Sequence, residues 1–423
     1  MDNIAGRKSG LSWAVNLSVV LLVALWLFPT VGLLVSSFRT ADQISASGWW
    51  KALFPSEQVV QLRTGGAEAA TQEGDLWVVE GNLLEDSDEG PEPGTEITRF
   101  GVSSKAVDAF AVGETTSFTK DTKTFTMDAA GTYRFTSTKE LKKRGQRVFI
   151  TATLPPEFTL ANYDQVLLSG NSNDSMTKAF LNTLTVTIPA TIIPIVIAAF
   201  AAYALAWMEF PGRALLIAAI VGLLVVPMQL ALIPLLTLHG SLAELFASIL
   251  GTPDPDAPRK LLATNSLGEL FGFSAGDSVA AKGYLGVWLA HTGFGLPLAI
   301  YLLRNYMSGL PRDIIENAKV DGATDFQIFT KIILPLSFPA LASFAIFQFL
   351  WTWNDLLVAK VFLIDSTGNT TVMTNQIVEL LGTRGGNWEI LATAAFVSIS
   401  VPLLVFFAMQ RYLVRGLLAG SVK

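Results

Sequence analysis

The segment from Pro311 to Pro335 carries residue types that set up a docking element rather than a reaction centre. Pro311 suits the first turn of a helix, and Asp313 and Glu316 favour that helix's positive end. Gly322 lets the chain reverse with a positive φ, or lets another surface approach closely. Pro335 then ends or kinks a second helix. The pattern is a helix, a glycine break and a second helix, which together make a short rigid knob. Its composition alone would also suit an ordinary amphipathic connector. A second cluster sets amides and a hydroxyl beside flat rings: Gln348, Trp351, Thr352, Trp353, Asn354 and Asp355, with Phe344 and Phe347 one turn earlier. Gln348 and Thr352 are four apart and share a helix face. Gln229 is a further polar candidate for burial. Such groups suit reversible recognition, although helix–helix contacts or an aromatic belt would use the same residues.

Covalent chemistry is poorly provided for. The absence of cysteine excludes disulfides, thiolate zinc sites, iron–sulfur clusters and cysteine nucleophiles. There are two histidines, His239 and His291, too few for a histidine-rich metal site. His291 reads as a polar residue packed between helices, and His239 as a residue of the outer rim. No Gly-x-x-x-x-Gly-Lys-Ser/Thr loop is present to cradle phosphates, and no nucleophile–base pair is evident.

The elements that must position these residues follow from hydropathy. Of 423 residues, 51% are apolar and 15% charged, too greasy for a water-soluble chain and too charge-poor for a disordered one. Residues 9–38, 179–208, 214–243, 283–303, 332–354 and 390–410 contain no Asp, Glu, Lys or Arg. Each is at least as long as the roughly 20 residues that cross a hydrocarbon core, so six transmembrane helices are expected. The first apolar run is too long for a cleaved signal peptide and reads as an anchor. With a cytoplasmic N-terminus, the cytoplasmic pieces carry ten Lys or Arg residues against five in the two shorter outside loops. That bias places both termini inside.

Residues 39–177 hold 20 acidic and 13 basic residues, so the net charge of −6 is concentrated in one soluble segment, and no basic surface for nucleic acid is expected. From Val59 to Thr153 short β-branched and aromatic runs alternate with Gly and acidic turns, the pattern of a small antiparallel β domain. The stretch Glu140 to Arg147 reads as a charged, solvated connector. A second outside segment, about 240–283, contains a candidate interfacial helix around Leu261 to Phe273. The expected architecture is an all-α polytopic membrane protein with an inserted β domain. Residues 1–39 form the N-terminus and first span, 40–177 an outside segment with the insert at about 56–156, and 178–423 a core with spans two to six and a cytoplasmic loop at 304–336.

Glu316, Ala318, Gly322, Ile332, Leu334 and Pro335 resemble the EAA loop of binding-protein-dependent ABC importer permeases. That pattern is Glu-Ala-Ala, three residues, Gly, nine residues, Ile-x-Leu-Pro, and it holds here except at Asn317. The chain is further similar to the carbohydrate subfamily and its maltose-type second subunit. The likeness lies at Phe158–Tyr163, Val226–Gln229, Ile233–Leu235, Gly293–Pro297, Trp353–Asp355 and Gln410–Lys423. It covers about 11–50 and 157–423. The long first outside loop looks most like the α-glucoside permease subunits.

The resemblance implies a type I ABC importer permease fold in a bacterial inner membrane, with the insert in the periplasm. It implies a second permease subunit, two ATP-binding subunits that hold ATP and Mg, and a periplasmic sugar-binding protein. Glu316, Asn317, Ala318, Asp321, Gly322, Ala323 and Pro335 would form the ATPase-coupling loop. Gly420, Ser421, Val422 and Lys423 would reach between the ATPase subunits. The cargo would be a di- or oligosaccharide, and sugars offer hydroxyls and apolar ring faces. Gln229, Phe344, Gln348, Trp351, Thr352 and Asn354 are therefore candidates for the path. Alternative readings are an ion-coupled secondary transporter, a membrane-anchored receptor or assembly protein working through its β domain, and a membrane enzyme. The first usually needs ionisable residues at mid-membrane, and the six apolar stretches have none.

Overall fold

The computed structural model describes residues 10–85, 91, 95–118, 122–141, 143–168, 176–250, 283–364, 368–383 and 386–418. The chain divides into two compact units: residues 1–163 with 386–393, and residues 164–385 with 394–423. The expected interfacial helix around Leu261 to Phe273 and the tail Gly420–Lys423 lie outside the described residues.

The first unit starts with α1 (Gly10–Ser36), which is apolar throughout and exposed along most of its length, as a lipid-facing helix must be. Among the described residues nine strands follow: β1 (Ser56–Arg63), β2 (Thr71–Glu73), β3 (Leu76–Asn82), β4 (Ile97–Gly101), β5 (Phe110–Ala111), β6 (Thr115–Phe118), β7 (Lys123–Met127), β8 (Thr132–Ser137) and β9 (Arg147–Leu154). They form two antiparallel sheets, ordered β1-β9-β4-β5 and β2-β3-β8-β7-β6. Alternate residues of both sheets meet in one core, with Phe100, Phe125, Phe135, Val79 and Ile150 buried together. The rings of Phe100 and Phe125 meet edge to face at 5.4 Å. The small β domain expected from the sequence thus consists of two sheets sharing one core.

The two legs of this insertion are tied at its base. Thr159 N–H donates to the Phe38 carbonyl at 2.8 Å, and Asn162 Nδ2 donates to the carbonyls of Ser37 and Arg39 at 3.0 and 2.9 Å. Ser37 Oγ and Tyr163 OH lie 2.7 Å apart. Bringing the two ends together reduces the closure cost of a long insertion.

In the second unit the helices are α2 (Thr177–Trp207), α3 (Arg213–Leu223), α4 (Met228–Leu250), α5 (Tyr284–Ser308), α6 (Arg312–Val320), α7 (Asp325–Ile328), α8 (Phe338–Trp353), α9 (Leu357–Phe362) and α10 (Met373–Thr383). The last helix, α11 (Trp388–Leu418), continues from the first unit. The most extensive helix contact is α2 against α5. Small buried residues allow it: Ala190, Ala198, Ala199 and Ala202 on α2 face Ala290, Gly295 and Ala299 on α5. Some buried polar side chains close their hydrogen bonds inside the unit. Asn182 donates to the Asn369 and Thr371 carbonyls, both at 2.8 Å, and accepts from Tyr284 OH at 2.8 Å. Without water, each such group would otherwise be costly to bury.

Among the described residues, four helices are long and apolar enough to cross a membrane: α1, α2, α5 and, in α11, Trp388–Tyr412. Two further spans expected from hydropathy are bent. Arg213–Leu223 meets Met228–Leu238 at 110°, and Asp325–Leu336 meets Phe338–Trp353 at 69°. At the first bend Pro227 has no amide to donate and steers Val226 away from helical geometry. The preceding amides of Leu224, Val225 and Val226 instead donate three residues back, closing 3₁₀-type turns. The second bend follows Pro335 and a widened turn at Phe329–Ile333.

The aromatic core of the insertion should dominate its stability. Phe100→Ala is expected to destabilise the β sandwich by about 3–5 kcal/mol. Proteolysis between residues 56 and 154 should then accelerate, with the core helices remaining protected.

Candidate functional site: the coupling loop and the polar cluster of the fifth span

Helix α6 has one buried side chain, Ile315, which joins a cluster built from Ala198, Ala202 and Tyr203 of α2 and Leu303 and Met307 of α5. Pro311 stands at its N-cap, Asp313 in its first turn and Lys319 in its last, matching charge to the helix dipole at both ends. The helix ends in a six-residue reversal. Gly322 has φ +82°, its amide donates to the Lys319 carbonyl at 3.0 Å, and Ala323 N–H donates to the Ala318 carbonyl at 3.0 Å. This is a Schellman motif, in which residues such as Ala318 and Ala323 touch. Both are half-buried and pack against the α2–α5 cluster.

The chain restarts at once. Thr324 caps α7, accepting from Gln327 N–H at 3.3 Å while its own amide donates to Gln327 Oε1 at 2.9 Å. That reciprocal capping box fixes the angle of the second helix. Tyr203 OH donates to the Asp325 carbonyl at 3.2 Å, adding a link from α2. Ile328, Phe329 and Ile333 then sink into the same cluster as Ile315. Both helices of the knob are therefore seated on one apolar patch of the bundle. Lys319 and Asp325 approach to 4.0 Å on the surface, a pair that contributes little.

The outward side of the knob presents Glu316, Asn317 and Asp321, all exposed. Sequence reasoning missed the apolar groups beside them: Ile314, Val320 (86% exposed) and Phe326. Their signal was available, since Ile314 and Ile315 are about 100° apart on a helix and cannot both face the bundle. Asn317, the position that departs from the Glu-Ala-Ala pattern, is exposed, so its amide is not forced into an apolar core. Pro335 is exposed at the start of the second bend.

The polar cluster of the fifth span divides between two environments. Gln348 is buried, donates to the Ala190 carbonyl at 3.1 Å, and fills the space left by Gly295, where a Cβ would lie 2.7 Å from its Oε1. Thr352 Oγ1 donates to the Gln348 carbonyl at 2.5 Å, and Trp353 Nε1 donates to the Ser398 carbonyl at 3.0 Å. Phe344 is buried in the α2–α5 cluster. Asn354 is exposed and donates back to the Leu350 carbonyl at 2.8 Å. Of the aromatic residues, Trp351 opens onto a cavity of about 520 Å³ walled by Leu224, Met228, Pro234, Phe294 and Pro297. Gln229 is exposed, contrary to the expected burial, because its neighbour Met228 takes the inward position on that turn.

His291 is buried, as expected. Its Nε2 lies 3.7 Å from Asp355 Oδ2, and the Asp355 side chain is only 6% exposed. Asp355 also accepts from Ala359 N–H at 3.1 Å, capping α9. Sequence reasoning left Asp355 at a span end. The His239 side chain lies outside the described residues.

Residues 179–418 match the family model of the binding-protein-dependent transport system inner membrane component. The chain is 55% identical over 418 residues to the alpha-glucoside transport system permease protein AglG of Rhizobium meliloti (strain 1021), covering 99% of this chain and 98% of the relative. The chain belongs to the binding-protein-dependent transport system inner membrane components. It is also 51% identical over 63% of its length to the osmoprotective compounds uptake permease protein GgtD of Synechocystis sp. (strain ATCC 27184 / PCC 6803 / Kazusa), covering 76% of that protein. A bacterial alginate ABC transporter, crystallised with an alginate pentasaccharide-bound periplasmic protein, aligns with TM-score 0.42 and 15% identity over 60% of this chain and 82% of the other.

For a permease the division of the fifth-span cluster has a consequence. Gln348 holds helices together, whereas Trp351 faces open space. Gln348→Ala is expected to lower the thermal stability and yield of the subunit, because the Ala190 carbonyl loses its partner and a void opens beside Gly295. Trp351→Ala should leave yield and melting temperature unchanged and alter only the concentration dependence of uptake. Matched melting curves and uptake assays on the two variants check this.

Proposed function

We propose that this chain forms half of the translocation path of an ATP-driven, binding-protein-dependent sugar importer, carrying a di- or oligosaccharide of the α-glucoside class. The family is that of permease subunits, which are not themselves enzymes. The whole-length likeness to an alpha-glucoside permease supports the cargo. Its partners would be a second permease subunit, two ATP-binding subunits that hold ATP and Mg, and a periplasmic sugar-binding protein. Counting each bent helix pair as one span gives six. Lys and Arg residues in the short loops favour both termini in the cytoplasm and the β sandwich in the periplasm.

One observation carries the coupling role. The knob of α6 and α7 is locked to the α2–α5 face through Ile315, Ile328, Phe329 and Ile333, while Glu316, Asn317 and an apolar fringe remain outside. A cleft of an ATPase subunit that receives this knob would move it as a unit, and the shared cluster would pass the displacement to α2 and α5. Ala318, Gly322 and Ala323 keep the knob rigid, and Pro335 with its bend leads the motion into α8. The tail Gly420–Lys423 would add a second contact between the ATPase subunits. Trp351 and its cavity would line the sugar's route, with Gln348, Thr352 and Phe344 supporting the wall.

Space is not the issue at Gly322, since a Cβ there would meet nothing within 4 Å. Its backbone conformation is. A β-branched residue at positive φ carries a strain of about 1–3 kcal/mol, whereas Asn adopts that region readily. Gly322→Val is therefore expected to cut uptake of a labelled α-glucoside about tenfold at unchanged membrane insertion. Gly322→Asn should stay near the unsubstituted chain. Equal uptake by all three would remove the coupling role from this turn.

A further inference from the structure

On the β sandwich an open cleft of about 270 Å³ is lined by Arg63, Lys123, Arg144 and Arg147 among others, the three arginines exposed, with no acidic side chain among the described lining residues. This runs against the character of its surroundings, since residues 39–177 hold 20 acidic residues against 13 basic. Its lining also takes in Leu141, Arg144, Gly145, Gln146 and Arg147 from the charged connector, which the permease role leaves unused.

Two features make the arrangement more than a crowded surface. First, Arg63 and Arg147 stand directly opposite each other on adjacent strands β1 and β9. Like charges at that position repel, and the sheet gives no reason for the choice. Second, the backbone that carries these cations is fixed. Thr64 N–H donates to the Gln146 carbonyl at 3.0 Å, and Gln146 N–H donates to Thr64 Oγ1 at 2.9 Å. A Cβ on Gly145 would fall 1.7 Å from the Thr64 carbonyl oxygen, and one on Gly66 would fall 2.1 Å from that of Lys143. Only glycine lets the connector lie so close to the end of β1. That approach brings Arg144 and Arg147 beside Arg63. Lys123 enters from the other sheet, its Nζ 5.7 Å from the centre of the Phe135 ring. Arg63 Nη1 donates to the Gly145 carbonyl at 3.2 Å, which orients its fork.

We propose that this cleft is an oxyanion site that takes a phosphate group. A phosphate group carries one charge as a diester and up to about two as inorganic phosphate, and its non-bridging oxygens accept from the planar forks of arginine. The bound anion also removes the repulsion between Arg63 and Arg147, so occupancy stabilises the sandwich. The phosphate is either free in solution or the headgroup of an anionic phospholipid, and the chemistry recognised is the same.

The test uses the full-length chain in phosphatidylcholine nanodiscs. Binding of inorganic phosphate is measured by calorimetry, and unfolding of the sandwich is followed by temperature. Phosphate is expected to bind saturably and raise the unfolding midpoint above that in chloride of equal ionic strength. Arg147→Gln and Arg144→Gln should each weaken binding about tenfold or more. In chloride, Arg147→Gln should melt no lower than the unsubstituted chain, because it relieves the cross-strand repulsion. A midpoint that rises only in phosphatidylglycerol nanodiscs, and not in the two variants, identifies the lipid headgroup as the source. No response to either phosphate source beyond that of chloride, or an equal response from both variants, overturns the proposal.

Discussion

The structure depends on a reversal of the chain at Gly322. A left-handed residue there ends α6 in a Schellman motif and presses Ala318 and Ala323 against the bundle. It also sets the start of α7, so that Ile315 on one helix and Ile328 on the next reach the same apolar patch. Without that reversal the two helices would continue as one, and only one of them could be seated. The small residues of α2 and α5 serve the same end from the other side, because they leave room for the knob's side chains between the helices.

Membrane chemistry shapes the remainder. Three buried side chains of the second unit find distant partners: Asn182 the backbone at 369 and 371, Gln348 the Ala190 carbonyl, and Trp353 the Ser398 carbonyl. These bonds join α2 to the 369–371 segment and to α8, and α8 to α11. The result is a wall that is closed on the Gln348 side and open on the Trp351 side. The His291–Asp355 approach, at 3.7 Å, lies inside that wall and joins α5 to the cap of α9.

Much of the knob formed by α6 and α7 was legible in the sequence because its signals are local. A proline at a helix start, acids in the first turn and a glycine at the reversal act within a few residues of themselves. That the segment from Val59 to Thr153 is antiparallel β was legible for the same reason, through β-branched runs and turn residues, whereas its individual strands were not. The sorting of Gln348 from Trp351 was not, because Gly295, which makes space for Gln348, is more than fifty positions away. Burial of Asp355 likewise needed α5. Hydropathy also marked the apolar stretches 214–243 and 332–354 without their bends, since it counts apolar residues and does not record the 110° and 69° changes of direction. Ile314, Val320 and Phe326 went unnoticed because exposed apolar residues carry meaning only once the buried face is known.

The central claim is that closure of an ATPase partner is transmitted through the knob to a sugar path. ATP hydrolysis by the purified assembly, measured with and without the solute-binding protein and across a panel of α-glucosides, tests it most directly. The account predicts a rate that rises only when both binding protein and sugar are present. A hydrolysis rate indifferent to both, or an assembly that purifies without an ATPase subunit, would contradict it.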